Sequence, residues 1–338
     1  MCVQQYSVGT HTQLFGWQTN NPMRSLMIFR RHGFFFVMVL AVACFIMFNS
    51  IGICPACTRD MSAIVDRNIG DFVALPDKDC SKNPPFLVIL VTSQLSQTTA
   101  RMAIRETWGK ERIIAGKRIV TYFLLGNNSH VYDQFAVTTE SSLYKDIIRK
   151  DFLDTYYNLT LKTLMGLEWI HKFCSLSSFV MKTDSDMFVN TYYLTELLLK
   201  RNKTNRFFTG VLRIHDHPVR YPGSKWYVNK REYPGRKYPP FCSGTGYVLS
   251  TDLASEVYLI SNKVPYFKLE DVFVGLCLAE LKIKPKMLHS EPTFFTKQVK
   301  FSPCRYRKLV TSHYVTASKM LEYWNGLEKS MIHKCPGH

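Results

Sequence analysis

The sequence predicts an α/β domain with a mostly parallel central sheet flanked by helices, preceded by a single transmembrane helix. Three observations predict it. Positions 33–53 form an uncharged run of about 21 residues. From residue 86 onward, short apolar runs alternate with longer stretches of helical period. Finally, two carboxylates, Asp184 and Asp186, end one of the apolar runs, as ligand-binding groups do at the carboxyl ends of parallel strands.

The uncharged run, at about 1.5 Å per residue, crosses roughly 30 Å of hydrocarbon. Arg24, Arg30, Arg31 and His32 precede it and little positive charge follows, so residues 1–32 are expected as a cytosolic tail. A cleaved signal peptide is the competing reading, but the run is longer than the usual h-region and lacks an obvious small-residue cleavage site. An uncleaved type II signal-anchor at 33–53 is favoured, with a lumenal stem at 54–83 and a lumenal domain at 84–338. Three N-glycosylation sequons, at Asn127, Asn158 and Asn202, fall on the lumenal side, though each is short enough to arise by chance. Met23 is an alternative start that leaves the span intact.

Eight of the ten cysteines (Cys54, Cys57, Cys80, Cys174, Cys242, Cys277, Cys304, Cys335) also lie beyond the span, where an oxidising compartment lets them pair. Connectivity cannot be read from their spacing. Only Cys54 and Cys57 have ligand-like spacing and no second close pair completes a zinc site; cross-linking of two chains or acylation are the other uses of that pair.

The 338 residues are 46% hydrophobic, enough for one large core and too apolar for a disordered polymer. The net charge of +17 is spread through apolar segments with no continuous basic block, which argues against nucleic acid. A basic face serving anionic substrates or membrane surfaces is the functional reading, and a solvated surface the bland one.

Within the domain, Pro84-Pro85 marks the start. Residues 86–92 predict a strand, 97–108 a helix, 119–126 a strand and 141–150 a helix. Residues 159–173 place Leu161, Leu164, Met165, Leu167 and Trp169 at core-helix spacing. A strand at 179–181, a helix at 192–200 and a strand at 207–212 follow. The Pro-, Gly- and Tyr-rich segment up to Phe241, which contains Trp226, is too long for a routine connection and is expected to shape a binding surface.

Several groups can carry chemistry. Asp184 and Asp186 with Lys182 read either as a salt-bridged turn or as a centre for a hard divalent cation on a phosphorylated ligand. Arg101 and Arg105 share a helix face with Trp108, either solvated or clamping a diphosphate. Gly244 and Gly246 in "FCSGTGYVLS" suit close backbone approach to a ligand or a tight turn, without the full dinucleotide fingerprint. Glu270 and Asp271 open a helix, where acids are ordinary first-turn chemistry or a general base at the mouth of a site. His313 is either a satisfied core histidine or a metal ligand.

The strings "RMAIRETWGKE", "FLLG", "KDFLDTYYNLTLKT", "FVMKTDSDMFVN", "YPPFCSGTGYVLS" and "EDVFVGLCL", in this order, resemble the inverting β-1,3-glycosyltransferase family of β-1,3-galactosyltransferases, β-1,3-N-acetylglucosaminyltransferases and Fringe proteins. The resemblance runs from about Pro84 to the C-terminus. It implies a single-pass type II Golgi membrane enzyme of GT-A type that uses UDP-galactose and a divalent metal, usually Mn²⁺. The acceptors it implies are the 3-hydroxyl of terminal GlcNAc, or of GalNAc in globoside, on glycolipid or glycoprotein.

By position, the resemblance gives Asp184 and Asp186 the nucleotide-sugar and metal roles, His313 a third metal position and Asp271 the catalytic base. It gives Arg101 and Arg105 to the donor; apart from the resemblance, Lys182 is expected at the donor and Trp226, Gly244, Gly246 and Glu270 at acceptor or sugar binding. Ser185 stands where many relatives have a third Asp; the flanking acids carry the metal role, so activity is expected to survive. UDP-GlcNAc as donor, or a non-catalytic lumenal glycan-binding or chaperone role on the same scaffold, are the alternatives.

Overall fold

A computed structural model describes residues 70–77, 80, 82–201, 205–332 and 335. The expected cytosolic tail and span, most of the stem, Cys54, Cys57 and Asn202 lie outside the described residues. Among the described residues, no helix is long and apolar enough to cross a membrane.

In chain order the elements are β1 (Phe72–Ala74), β2 (Leu87–Thr92), α1 (Thr98–Glu106), β3 (Arg112–Ile114), β4 (Lys117–Asn127), α2 (Val131–Tyr144) and β5 (Ile147–Leu153). A 3-10 turn (Tyr156–Asn158) leads to α3 (Leu159–Phe173), β6 (Phe179–Asp184), β7 (Phe188–Val189) and α4 (Thr191–Leu199). Then come β8 (Phe208–Arg213), β9 (Phe241–Ser250), α5 (Thr251–Ser261), α6 (Glu270–Glu280), α7 (Pro303–Tyr306), β10 (Thr311–Ser312) and α8 (Ala317–Met331).

The main sheet runs β1-β5-β4-β2-β6-β9-β8, with β3 beside β4. Strands β5, β4, β2 and β6 are parallel, while β9, β8 and β1 join antiparallel. The centre is β2, whose "LVILVT" is buried throughout, as an unbroken apolar strand covered on both faces should be. Its alternate residues divide the core: Val88 and Leu90 pack with α3, α5 and α6, while Leu87, Ile89 and Val91 pack with α1, α4 and α8. Both layers hold β6 so that its last residue, Asp184, emerges at the carboxyl edge of the sheet.

Most predicted elements are present, but the helix expected at 141–150 is not. Helix α2 starts ten residues earlier and stops at Tyr144, where Lys145 takes a left-handed conformation (φ 54°), and residues 147–153 form the strand β5. The apolar residues of α2 do not mark an inward stripe, since Val131 and Phe135 are 76% and 75% exposed. Ile147 and Ile148 are instead fully buried in the sheet.

The cysteine pairing that spacing could not give is Cys80–Cys174 and Cys304–Cys335. Cys242 and Cys277 are buried and outside these disulfides. Asn127 ends β4 and Asn158 precedes α3, both partly exposed.

Candidate active site

A cleft of about 570 Å³ opens at the carboxyl edge of the sheet, between the end of β6, the start of β9 and the first turn of α6. Lys182, Asp184, Asp186, Trp226, Gly244, Glu270, Asp271 and His313 all line it. The fold thus gathers eight expected site residues from five regions of the chain. It does not bring Gly246, Arg101 or Arg105 to the cleft.

At the β6 end, Asp184 Oδ1 accepts from Lys182 Nζ (2.7 Å) and from Thr92 Oγ1 (2.7 Å), the last residue of the neighbouring strand β2. Ser185 turns inward, 5% exposed, and donates to Gln97 Oε1 at 3.0 Å. Asp186 stays half open to solvent and lies 3.2 Å from His313 Nε2. The backbone N–H of Val315 donates to the Asp186 carbonyl, and β10 pairs with β7, so His313 is carried to Asp186 by main-chain bonds.

His313 Nδ1 sits 3.0 Å from Thr296 O, which places a proton on Nδ1. Its Nε2 then faces a carboxylate oxygen across 3.2 Å, acceptor against acceptor, unless a proton or a cation stands between them. Burial lowers the His313 pKa most strongly, but the Asp186 carboxylate and the Thr296 carbonyl outweigh it and raise it overall. An imidazole and a carboxylate are donors that suit Mn²⁺, and the Asp186–His313 pair is close enough to share one, although among the described residues no three His, Cys, Asp or Glu side chains gather into a group that could hold a metal ion.

Asp271, which also lines the cleft, stands in the first turn of α6. Its Oδ2 accepts the Gly244 N–H (3.1 Å) and its Oδ1 the Val272 N–H (2.9 Å). Burial is the strongest influence on Asp271 and raises its pKa against those two N–H groups and Lys182. Its neighbour Glu270 points inward, 5% exposed, accepting from Tyr247 Oη at 2.5 Å and Thr163 Oγ1 at 3.1 Å. Burial also raises the Glu270 pKa most, with Lys182 opposing and Asp271 adding. A Cβ at Gly244 would lie 2.9 Å from Glu270 Oε2, so a larger residue there would have to displace the buried Glu270 carboxyl.

The fully buried Lys182 ammonium also donates to Gly244 O (2.6 Å). Burial works against its charge, but Asp184 and Glu270 outweigh that and raise its pKa. The segment between β8 and β9 supplies the outer wall with Arg213, His217, Lys225 and the half-exposed Trp226. Lys225 Nζ lies 4.9 Å from the Trp226 ring centroid and 5.3 Å from that of Tyr156.

Gly246 pairs with Thr183 within the sheet. Arg101 is fully buried, donating to both Glu140 oxygens (2.8 and 2.6 Å) and to Ser93, Gln94, Leu95 and Thr98. Arg105 chelates Asp146 at 2.8 and 2.9 Å and reaches Glu140. Both guanidiniums are thus spent on internal carboxylates. Residues that spacing did not reveal are Thr92, Gln97, Tyr156 and Tyr247; only the length of the 213–241 segment signalled the outer wall.

A family model described as Galactosyltransferase matches residues 99–289. Human beta-1,3-galactosyltransferase 5 is 57% identical over 274 residues, covering 81% of this chain and 88% of that protein. The mouse protein of the same name is 54% identical over 278 residues, covering 82% and 90%. Human beta-1,3-galactosyltransferase 2 is 46% identical over 264 residues, covering 77% of this chain and 62% of that protein.

Proposed function

Since the chain belongs to the galactosyltransferase family, we propose that it transfers galactose from UDP-galactose to the 3-hydroxyl of a terminal GlcNAc or GalNAc on a glycolipid or glycoprotein, inverting the anomeric centre. The observation that carries this reading is that one cleft is lined by Asp184, Asp186 and His313 together with Asp271. In the proposed reaction Asp271 takes the proton of the acceptor hydroxyl as its oxygen attacks the anomeric carbon. The bond from that carbon to the β-phosphate oxygen breaks, UDP departs, and α becomes β.

Asp186, Asp184 and His313 would hold the cation. When bound, a divalent cation offsets the charge that builds on the leaving diphosphate, so no protonated acid is needed there. A single carboxylate, Asp271, then suffices as base, where glycosidases use two. Trp226 offers its exposed face to the acceptor sugar. Arg101 and Arg105 serve the donor side indirectly: Arg101 fixes the loop 93–97, whose Gln97 receives Ser185.

The same proposal takes the sheet and its flanking helices as a GT-A type domain, held in the Golgi lumen behind a single type II span. Sequons at Asn127 and Asn158 and two disulfides are consistent with that compartment. The test is to incubate the detergent-solubilised full chain with Mn²⁺, a GlcNAc- or GalNAc-terminated acceptor and either UDP-galactose or UDP-GlcNAc. A β-1,3-linked galactosyl product is expected. Transfer from UDP-GlcNAc alone replaces the donor, and neither product nor UDP release overturns the enzymatic reading.

A further inference from the structure

Gly244 is gripped from both sides. Its N–H donates to Asp271 Oδ2 at 3.1 Å, and its carbonyl accepts from Lys182 Nζ at 2.6 Å. The same ammonium donates to Asp184 Oδ1 at 2.7 Å and lies 3.6 Å from Glu270 Oε2. Glu270 is held in turn by the Tyr247 hydroxyl and Thr163. A continuous polar path therefore runs Tyr247–Glu270–Lys182–Gly244–Asp271, with a branch to Asp184. The Lys182 and Glu270 side chains are 2% and 4% exposed, so they are spent on one another and on the backbone, with little surface left for a sugar.

We propose that Lys182 and Glu270 form a buried charge pair that positions the two working carboxylates, neither of them binding donor or acceptor sugar. This rests on the reading of Asp271 as the base. A base must keep one oxygen aimed at the acceptor hydroxyl, and a strand pinned at Gly244 supplies that aim. It must also be ionised although buried, which needs a nearby positive charge that is itself held in place.

The groups coupled to Asp271 include Lys182 on β6, Glu270 on its own helix, Tyr247 and Cys242 on β9, Tyr238 before β9, and Tyr156 before α3, while Asp184, Asp186, Arg213, His217, Lys268 and His313 line the same cleft. Among these, the Lys182 ammonium and the Glu270 carboxyl stand 3.6 Å apart, unlike charges beside Asp271 when Glu270 is ionised. Removing each should therefore move the base in opposite directions. Without the Lys182 cation, ionised Asp271 is less favoured; without the Glu270 anion, it is more favoured.

The experiment measures kcat/KM against pH for the full chain and for Lys182→Met, Glu270→Gln and Tyr247→Phe, with thermal melting to confirm folding. Lys182→Met should move the acid limb to higher pH and Glu270→Gln to lower pH, each by about half to one unit; one unit is a tenfold change in rate on the limb. Tyr247→Phe, which loses a single hydroxyl, keeps the fold if the others do not. It leaves Glu270 less well held and less ionised, so its limb should follow Glu270→Gln.

Shifts of opposite sign support the charge pair, because a general loss of structure would lower rates at all pH values alike. An unmoved limb with a raised KM for either sugar substrate in Glu270→Gln overturns it and returns Glu270 to sugar binding. Asp271→Asn separates the two readings. If that variant is active, the base assignment itself fails; if it is inactive while the limbs of the others stay put, only the positioning role fails.

Discussion

His313 Nε2 and Asp186 Oδ2 meet at 3.2 Å in the cleft, His313 just after strand β10 and Asp186 just before strand β7, two strands that pair with each other beside the main sheet. The two residues are 127 positions apart, and the small second sheet is what closes that distance. A cation shared by this pair would gain an imidazole that Thr296 holds in one tautomer and one orientation.

Cation dependence follows. Chelation should abolish transfer and added Mn²⁺ should restore it. His313→Ala should weaken Mn²⁺ binding by about 10–100-fold, the loss typical of disturbed metal surroundings. Calorimetric titration of Mn²⁺ into each protein checks this without relying on turnover; equal affinities would remove His313 from the site.

Asp271→Asn keeps the size of the side chain and one acceptor oxygen but cannot take a proton. Its kcat should fall about 10²–10⁴-fold, while UDP-galactose binding in equilibrium measurements stays within a few-fold of the parent. The pH dependence has a definite sign. Burial raises the Asp271 pKa, so the base is protonated at higher pH than an ordinary aspartate, and activity is lost as pH falls through that raised value.

Trp226 is 51% exposed at the outer wall, with no packing duty comparable to that of buried tryptophans. Trp226→Ala should raise the KM for acceptor about 3–10-fold, the equivalent of ~0.5–1.5 kcal/mol of ring stacking, and leave the KM for donor unchanged. An equal rise in both would move Trp226 off the acceptor path.

Glu140 should govern acid stability. Burial, its largest influence, raises its pKa, but Arg101 and Arg105 pull it below the usual glutamate range overall. Its contribution is therefore present above the unfolded-state pKa and is lost as pH falls through the lower folded value. Glu140→Ala leaves the fully buried Arg101 without its carboxylate and should cost about 3–5 kcal/mol at neutral pH. Denaturant melts at neutral and acid pH should show the gap between parent and variant closing in acid.

Cys80→Ser opens a covalent link across 94 residues and should destabilise the domain by about 2–5 kcal/mol. Calorimetric melting of oxidised parent against variant measures it.

The sheet was legible where burial shows in the sequence. Strand β2, helix α3 and strand β6 are apolar runs of the right length, and the carboxylates after β6 sit at the strand end where ligands collect. Strand β5 was hidden because "DIIRKDF" mixes buried and charged residues and follows a helix in which Val131, Phe135 and Leu143 point outward. Two guanidiniums on one helix face look the same in sequence whether they await an anion or already hold one. The carboxylates that occupy Arg101 and Arg105 arrive 39 and 41 residues later. Likewise, nothing local distinguishes the inward acid Glu270 from its neighbour Asp271 in the cleft; Tyr247, on the adjacent strand, makes the difference.

The Cys80–Cys174 bridge gives the domain a mechanical fuse. Strand β1 is a three-residue edge pairing antiparallel with β5, ahead of Cys80 in the chain. Tension applied from the N-terminal side would peel β1 away and then stop at a covalent knot on the residue that follows α3. The load would be borne by the helix packed beneath the middle of the sheet, and the cleft at the sheet's carboxyl edge would keep its shape while its outer strand gave way.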